Sequence, residues 1–431
     1  MSSFRRALSR GVFAAVAVVV LAIGYLQGRY QRLALSVGPL DVNTVEAVFS
    51  ALTLAGFFVV SGTLFLYDRR VDRDPAATTD GGSVAAIVPV YHDADVLHRS
   101  VESLLAGAYD DLTVWIVPEP DDTESRERAS ELAAEDDRVE VLVNDKHPGS
   151  KAGAINYAVS VTDSDHVAVF DADEVVDPQF LSTAVAKLDD ADLVQGRTIP
   201  EPTGFVESVA YVESILLNFV AQRFLYFLTD FRLAASRAVV MTREGFRRTE
   251  GYHTEMLTED FEFAHRCYKH DLTVVEQLAA PSKIEAAHSL RDWWGQRKRW
   301  MTGYAQASHY LLGDIRPLRE LRNPISAIIG AGTVGASLFM LSLVPKFVVL
   351  AQVGAWWLIA ATLSLLFAIT LAVQRQDYRG GLVDSVGWSW LVVPFVFPLY
   401  SLVAIKGTID YLVSWEGEWY SVVKTGATEA D

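Results

Sequence analysis

The sequence predicts an α/β domain with a mostly parallel sheet, flanked on both sides by membrane-spanning helices. Three observations predict it. Five stretches without Asp, Glu, Lys or Arg gather toward the two ends of the 431-residue chain. Between them short apolar strands alternate with helical patterns, as in a parallel sheet covered by helices. Polar clusters follow several of those strands, at the carboxyl ends where such sheets bind ligands.

The charge-free stretches are Gly11–Gly28, Ala47–Tyr67, Asn323–Pro345, Phe347–Gln374 and Ser385–Ile405. A helix needs roughly 20 apolar residues to cross the bilayer core, and all but the first clearly reach that length. Gly11–Gly28, preceded by Arg5, Arg6 and Arg10, has the make-up of a signal-peptide core. No small-x-small cleavage site follows and a second span lies close behind, so it reads as a retained anchor. Arg5, Arg6 and Arg10, then Arg69, Arg70 and Arg73, place both flanks of this pair in the cytoplasm by the positive-inside rule. Residues 1–74 are therefore expected to form a membrane hairpin, 75–310 a cytoplasmic domain, and 311–431 a C-terminal membrane region with a short tail. Such a chain is a multi-pass protein of the cell membrane, with lipids as partners. Only Pro345 and Lys346 separate two of the last stretches, so that region is expected to cross two to three times.

In the middle, strands are expected at Ser83–Val90, Thr113–Val117, Val139–Val143 and His166–Phe170. Helices are expected near Asp95–Ala106, at Glu124–Ala134 and at Lys151–Val161. Beyond the last strand, Asp177 is expected to cap a helix with Pro178 at its first position. Composition narrows the function. With 54 acidic against 37 basic residues the net charge is −17, which argues against a nucleic-acid partner. A single cysteine, Cys267, excludes an intrachain disulfide and a cysteine zinc cluster; it reads as core.

Three clusters carry chemistry. Asp171-Ala172-Asp173 directly follows the strand His166–Phe170. In an extended segment side chains two apart point the same way. Asp171 and Asp173 are therefore expected to offer oxygens to one hard cation, Mg²⁺ or Mn²⁺, shared with a diphosphate; an acidic turn after a strand is as often only structural. In Thr258-Glu259-Asp260, Thr258 is expected to cap the helix Glu259–His270 and so set Asp260 at a helix start. A carboxylate there can take a proton from a hydroxyl, although a helix N-terminus favours negative charge in any case. Gln296-Arg297-Lys298-Arg299-Trp300 lies on a helix opened by a Ser289/Asp292 capping box. Gln296, Arg299 and Trp300 fall at i, i+3 and i+4, on one face. Arg299 suits a diphosphate and Trp300 a sugar ring, while a membrane interface also collects Trp293, Trp294, Trp300 and basic residues; both readings apply.

In their order, PVYHD, SKAGAIN, DAD, TED and QRKRW resemble the inverting family 2 glycosyltransferases with a GT-A fold, a Rossmann-like nucleotide-diphospho-sugar transferase domain. The match is to the membrane-bound branch that holds cellulose, hyaluronan and poly-N-acetylglucosamine synthases and some glycolipid synthases, and it covers about residues 83–305. The resemblance implies that Tyr91 and Asp93 line the nucleotide pocket, and that Lys151, Asn156 and Asp171 lie near the diphosphate and sugar. It implies that Asp171 and Asp173 hold the metal and that Asp260, with Glu259 beside it, is catalytic. Gln296, Arg299 and Trp300 would bind diphosphate and acceptor, and Glu285 matches an acidic position before the last motif. Two departures stand out. After the second strand, where the family has an acidic pair, PEPDDTES offers Glu119, Asp121 or Asp122 for the base-binding part. Where polymer synthases show Cys-Gly-Ser, this chain has Ala234-Ala235-Ser236 followed by Arg237, which leaves the acceptor open between a growing glycan and a membrane lipid or polyprenyl-linked acceptor. The implied activity is sugar transfer from a nucleotide-sugar, of UDP type, in polysaccharide synthesis. An inactive sugar-nucleotide-binding partner would be expected to have lost a chemistry position, and all remain. A transporter would place ionisable groups in its spans, and the charge-free stretches hold none. His288, near the last motif, reads as an interfacial histidine in preference to a third metal ligand.

Overall fold

The computed structural model describes residues 40–71, 77–316 and 319–415, with 36–37 and parts of 10–22. The expected span Gly11–Gly28 lies largely outside the described residues, as do Arg5, Arg6 and Arg73. The chain divides into two compact units, one built from Asp72–Thr203 and Asp230–Ala287, the other from Met1–Val71, Gly204–Thr229 and His288–Val422.

The first unit is built on a seven-stranded sheet among the described residues. Its strands are β1 (Val84–Val90), β2 (Leu112–Pro118), β3 (Val139–Val141), β4 (His166–Val169), β5 (Leu193–Pro200), β6 (Val239–Thr242) and β7 (Val274–Ile284), in the order β3-β2-β1-β4-β6-β5-β7. β6 runs antiparallel to both neighbours and every other pairing is parallel. Six helices accompany it: α1 (Ala94–Leu105), α2 (Thr123–Glu135), α3 (Lys151–Val161), α4 (Phe180–Lys187), α5 (Arg243–Arg248) and α6 (Glu259–Lys269). β1 reads VAAIVPV and is buried almost throughout, as befits a parallel strand covered on both faces. Its Ala86, Val88 and Val90 share a core with Leu97, Val101 and Leu104 of α1 and with Phe170 and Phe180. Each large apolar side chain there contributes about 1.5–3 kcal/mol. A Cβ at Gly196 of β5 would come 2.2 Å from the Phe180 ring, so only glycine lets α4 lie this close.

One helix start differs from expectation. α4 begins at Phe180, beyond Pro178, and its N-cap residue Gln179 makes no side-chain cap. The Asp177 carboxylate instead accepts the Gln179 N–H at 2.9 Å, an Asx turn that holds the residues before the helix.

Apart from the short antiparallel pair Ser36–Val37 and Leu40–Asp41, the described residues of the second unit are mainly helical. Four of its described stretches are long and apolar enough to cross a membrane: Asn43–Tyr67, Arg322–Gln352, Trp356–Arg379 and Ser389–Ser414. Pro345 and Lys346, which separate two of the charge-free stretches, lie inside one candidate span, Arg322–Gln352. Pro345 falls in the first turn of the helix Leu343–Gln352, where a missing N–H costs least. The chain turns further on, where Gly354 takes φ +78°. Lys346 is buried, paired with Glu46 at 3.0 Å and lying 4.3 Å from the centre of the Phe339 ring. Asp377, also buried, accepts the Tyr211 hydroxyl at 2.6 Å. The helices thus extend past the charge-free stretches and take in ionisable residues, so the argument against a transporter from wholly apolar spans does not hold. The helix Leu290–Gly313 packs tightly on Val393–Ser414, where a Cβ at Gly407 would lie 2.9 Å from the Thr302 nitrogen.

Candidate active site

β2, β1 and β4 lie side by side and parallel, so the residues after their carboxyl ends share one edge of the sheet. β6 is antiparallel to β4, with Val239 opposite Val169, and therefore begins at that same edge. This topology gathers Tyr91–Asp93, Glu119–Asp122, Asp171–Asp173 and the segment Ala234–Arg237.

At the end of β1, His92 takes φ 58°, a left-handed conformation that needs support in a non-glycine residue. Asp122 supplies it: one carboxylate oxygen accepts the His92 N–H at 2.6 Å and the other accepts the Ser125 N–H at 3.2 Å, capping α2. Burial opposes the charge of Asp122, but the hydrogen bonds from Ser125 and the His92 amide outweigh it and lower its pKa. Tyr91 is 42% exposed, and Asp93 sits at the N-cap position of α1 without a side-chain cap. Of the other acids after β2, Glu119 is buried and accepts Asn144 Nδ2 and the Gly149 N–H, both at 2.7 Å. Asp121 is exposed.

Asp171-Ala172-Asp173 forms a turn, with the Glu174 N–H bonded to the Asp171 carbonyl at 3.1 Å. The alternation of an extended strand therefore does not orient the two carboxylates. Their partners do. Asp171 accepts a hydrogen bond from Lys151 Nζ and faces Arg237 Nη1 at 3.7 Å. Asp173 is buried and accepts the Glu285 N–H at 3.2 Å, while the Glu285 carboxylate pairs with Arg99 of α1 at 3.6 Å. Glu174, fully buried, accepts the Asp171 N–H at 3.0 Å and the Ser282 hydroxyl. Burial first, then the charge of Asp171, push the Glu174 carboxyl well above the usual range. For Lys151 burial works against the charge, yet Asp171 and Glu259 outweigh it and raise the pKa. Arg237 behaves alike: burial opposes its charge, and Asp171, Glu174, Asp260 and Asp173 overcome that.

Thr258 occupies the N-cap position of α6 but makes no side-chain cap. In place of the expected cap, Asp260 Oδ1 accepts the Phe261 N–H at 2.7 Å. Glu259 is buried and accepts the Ser236 hydroxyl at 2.9 Å. Asn156 clamps the backbone of Tyr252 from both sides, donating to its carbonyl at 2.7 Å and accepting its N–H at 2.9 Å. The preceding Gly251 has φ +74°, and a Cβ there would come 2.5 Å from Asn156 Oδ1.

Gln296, Arg299 and Trp300 belong to the other unit, on the helix Leu290–Gly313. Ser289 caps that helix as expected, accepting the Asp292 N–H at 3.0 Å and donating to its carboxylate at 2.6 Å. Sequence reading passed over Arg297, which is buried and ion-paired with Glu213 at 2.8 Å. Its guanidinium lies 4.7 Å from the centre of the Trp300 ring and donates to Gln296 Oε1. His288 pairs with Glu207 at 2.7 Å. Glu213, about eighty residues from Arg297 in sequence, gave no local signal.

Among the described residues, no three His, Cys, Asp or Glu side chains converge as a complete metal-binding set. The donor chemistry nevertheless suits a hard divalent cation: the electrostatic neighbours Asp171, Asp173, Glu174, Glu259 and Asp260 are five carboxylates against the two cations Lys151 and Arg237.

The family profile described as "Glycosyl transferase family group 2" matches residues 166–405, more than half of the chain. The chain belongs to the family 2 glycosyltransferases. A second profile, "Glycosyl transferase family 2", matches residues 85–241. Glycosyltransferase AglD of Haloferax volcanii is 31% identical over 128 residues, 28% of this chain. Cellulose synthase 2 of Novacetimonas hansenii is 26% identical over 276 residues, 60% of this chain. The chain spans 20% and 16% of the lengths of these two relatives. The solved structure of mannosyltransferase PcManGT from Pyrobaculum calidifontis, in complex with GDP-Man and Mn²⁺, aligns with TM-score 0.52 at 16% identity, over 84% of this chain and 99% of that one. That likeness identifies the fold of the sheet unit as GT-A.

Proposed function

We propose that the chain is a membrane-bound, metal-dependent, inverting glycosyltransferase. It moves a sugar from a nucleotide-sugar, of UDP type, to a growing glycan in polysaccharide synthesis, with its sheet unit on the cytoplasmic side. The observation that supports this reading is the Asp171–Asp173 turn, set among Lys151, Arg237 and Asp260 at the carboxyl edge of a GT-A sheet. PcManGT, of the same fold, is known in complex with GDP-Man and Mn²⁺, which supports a nucleotide-sugar donor and a divalent cation and adds GDP-sugars to the donors to be tried.

In this reading Tyr91 and Asp93 receive the nucleoside, with Glu119 and Asp121 as the acids available to the base. Asp171 and Asp173 are the residues that would hold Mg²⁺ or Mn²⁺, and such a cation supplies charge neutralisation at the diphosphate. Asp260 accepts the proton of the acceptor hydroxyl as its oxygen attacks the anomeric carbon. The bond from that carbon to the diphosphate oxygen breaks, the nucleoside diphosphate leaves with the electron pair, and configuration inverts. Glu259, tied to Ser236, holds the start of α6 beside Asp260. Gln296, Arg299 and Trp300 are assigned to diphosphate and acceptor, with Arg297 bonded to Gln296 and lying against the Trp300 ring.

A second reading, one sugar passed to a membrane lipid or polyprenyl-linked acceptor, is favoured by the segment Ala234–Arg237 in place of Cys-Gly-Ser. Mass analysis of products from the purified chain with a panel of UDP- and GDP-sugars separates the two. A ladder of sugar masses is expected for polymer synthesis, and a single increment on a lipid supports the second reading. Nucleotide binding with no transfer to any acceptor would leave the inactive-partner reading standing instead.

A further inference from the structure

Asp171 carries two cations. Lys151 of α3 holds Oδ1, and Arg237 lies 3.7 Å from Oδ2. Like charges on one carboxylate oppose each other, and Arg237 indeed acts against the charge of Lys151. Arg237 is nonetheless held on a rigid segment. Gln195 of β5 accepts the Ala235 N–H at 2.6 Å and donates to the Arg237 carbonyl at 3.1 Å. Ser236 is bonded to Glu259 at 2.9 Å, and Tyr252 donates to the Ala235 carbonyl at 3.3 Å. A strand, a helix start and the loop pinned by Asn156 thus fix five residues, Ala234–Ala238, whose one charged side chain faces Asp171. This is the stretch where the chain leaves the pattern of the polymer synthases.

Resting on the glycosyl-transfer reading above, we infer that Arg237 is a donor-diphosphate residue, paired with Asp171 beside Lys151 and passed to a phosphate oxygen when Asp171 is given over to a divalent cation. Guanidinium and cation compete for the same carboxylate oxygens, and a displaced arginine needs a new anion within reach. Its fork of N–H donors matches phosphate oxygens. Removing Arg237 therefore has opposite effects on the two ligands: metal alone binds more tightly, nucleoside diphosphate more weakly. General loss of structure would weaken both.

The test is calorimetric titration of the full chain in detergent, with Mn²⁺ alone and then with UDP or GDP in the presence of Mn²⁺. Arg237→Ala and Arg237→Gln are expected to tighten Mn²⁺ binding roughly three- to tenfold, from the loss of a competing charge, and to weaken the diphosphate roughly tenfold. Arg237→Lys, with the charge but not the fork, is expected between the variants and wild type for the diphosphate. Unchanged or weaker Mn²⁺ binding in both neutral variants, or unchanged diphosphate binding, overturns the inference. A wild-type chain that binds neither nucleotide overturns the glycosyl-transfer reading instead, and the Mn²⁺ titration then still decides whether Arg237 competes for Asp171.

Discussion

Asp260 is the residue on which the proposed chemistry turns. A carboxylate at a helix start can serve as a base only if its lone pairs reach the acceptor, and one oxygen here is occupied by the Phe261 N–H. Asp260→Asn keeps that hydrogen bond but not the basicity. It is expected to bind nucleotide as wild type does while turnover falls roughly 10²- to 10⁴-fold; turnover near the wild-type rate would remove Asp260 from this role. His265 makes a different prediction. It lies buried between Phe231 and Phe261, ring centroids 4.7 Å away in each case, and burial, then Lys269, lower its pKa to about 3. The folded unit keeps this imidazole neutral, whereas the unfolded chain protonates it below about pH 6.5. Stability is therefore present above that pH and lost as pH falls toward 3, by up to about 1.4 kcal/mol per unit. Thermal melts of wild type and His265→Gln should show the wild type losing about 2 kcal/mol more between pH 6.5 and 5; parallel losses would contradict the assignment.

At the scale of elements, the first half of the sheet was legible in the sequence because β1, β2 and β4 are apolar runs that end in polar turns. β5 and β7 were not, because Gln195, Arg197, Glu276 and Gln277 interrupt their hydrophobic pattern. β6 has only four residues, yet its antiparallel course is what delivers Arg237 to the site. The helix caps divide similarly. Ser289 and Asp292 signal each other locally and form the box, while Thr258 has the right residue type without the bond. Glycine at 407 lets the helix that carries Gln296, Arg299 and Trp300 dock on Val393–Ser414. Gly407→Leu is expected to cost about 1–3 kcal/mol or more through overpacking and to lower the melting temperature, with Gly407→Ala milder. Equal melting of all three would show that the contact is not tight.

For the molecule as a whole, composition and charge-free stretches pointed to membrane helices. The order of five short motifs, PVYHD, SKAGAIN, DAD, TED and QRKRW, carries the family resemblance. What sequence could not supply was long-range pairing: Glu213 with Arg297, Arg99 with Glu285 behind Asp173, and Glu46 with Lys346 within the helices. These pairs join residues far apart in the chain and carry no local pattern. The orientation proposed here, with the sheet unit in the cytoplasm, predicts that a cysteine placed at exposed Asp121 in a Cys267→Ser background labels from the cytoplasmic side of oriented vesicles; labelling from the opposite side would reverse the topology.

Asp171 and Asp173 are proposed to form the metal-assisted donor site. Release of nucleoside diphosphate from nucleotide-sugar by the purified chain tests it, comparing wild type with Asp171→Asn and Asp173→Asn, each with Mn²⁺ and with excess chelator. The account predicts release only by wild type with the metal present, with both variants reduced at least roughly 10²-fold. Wild-type release that ignores the chelator, or variants that turn over at the wild-type rate, would contradict it.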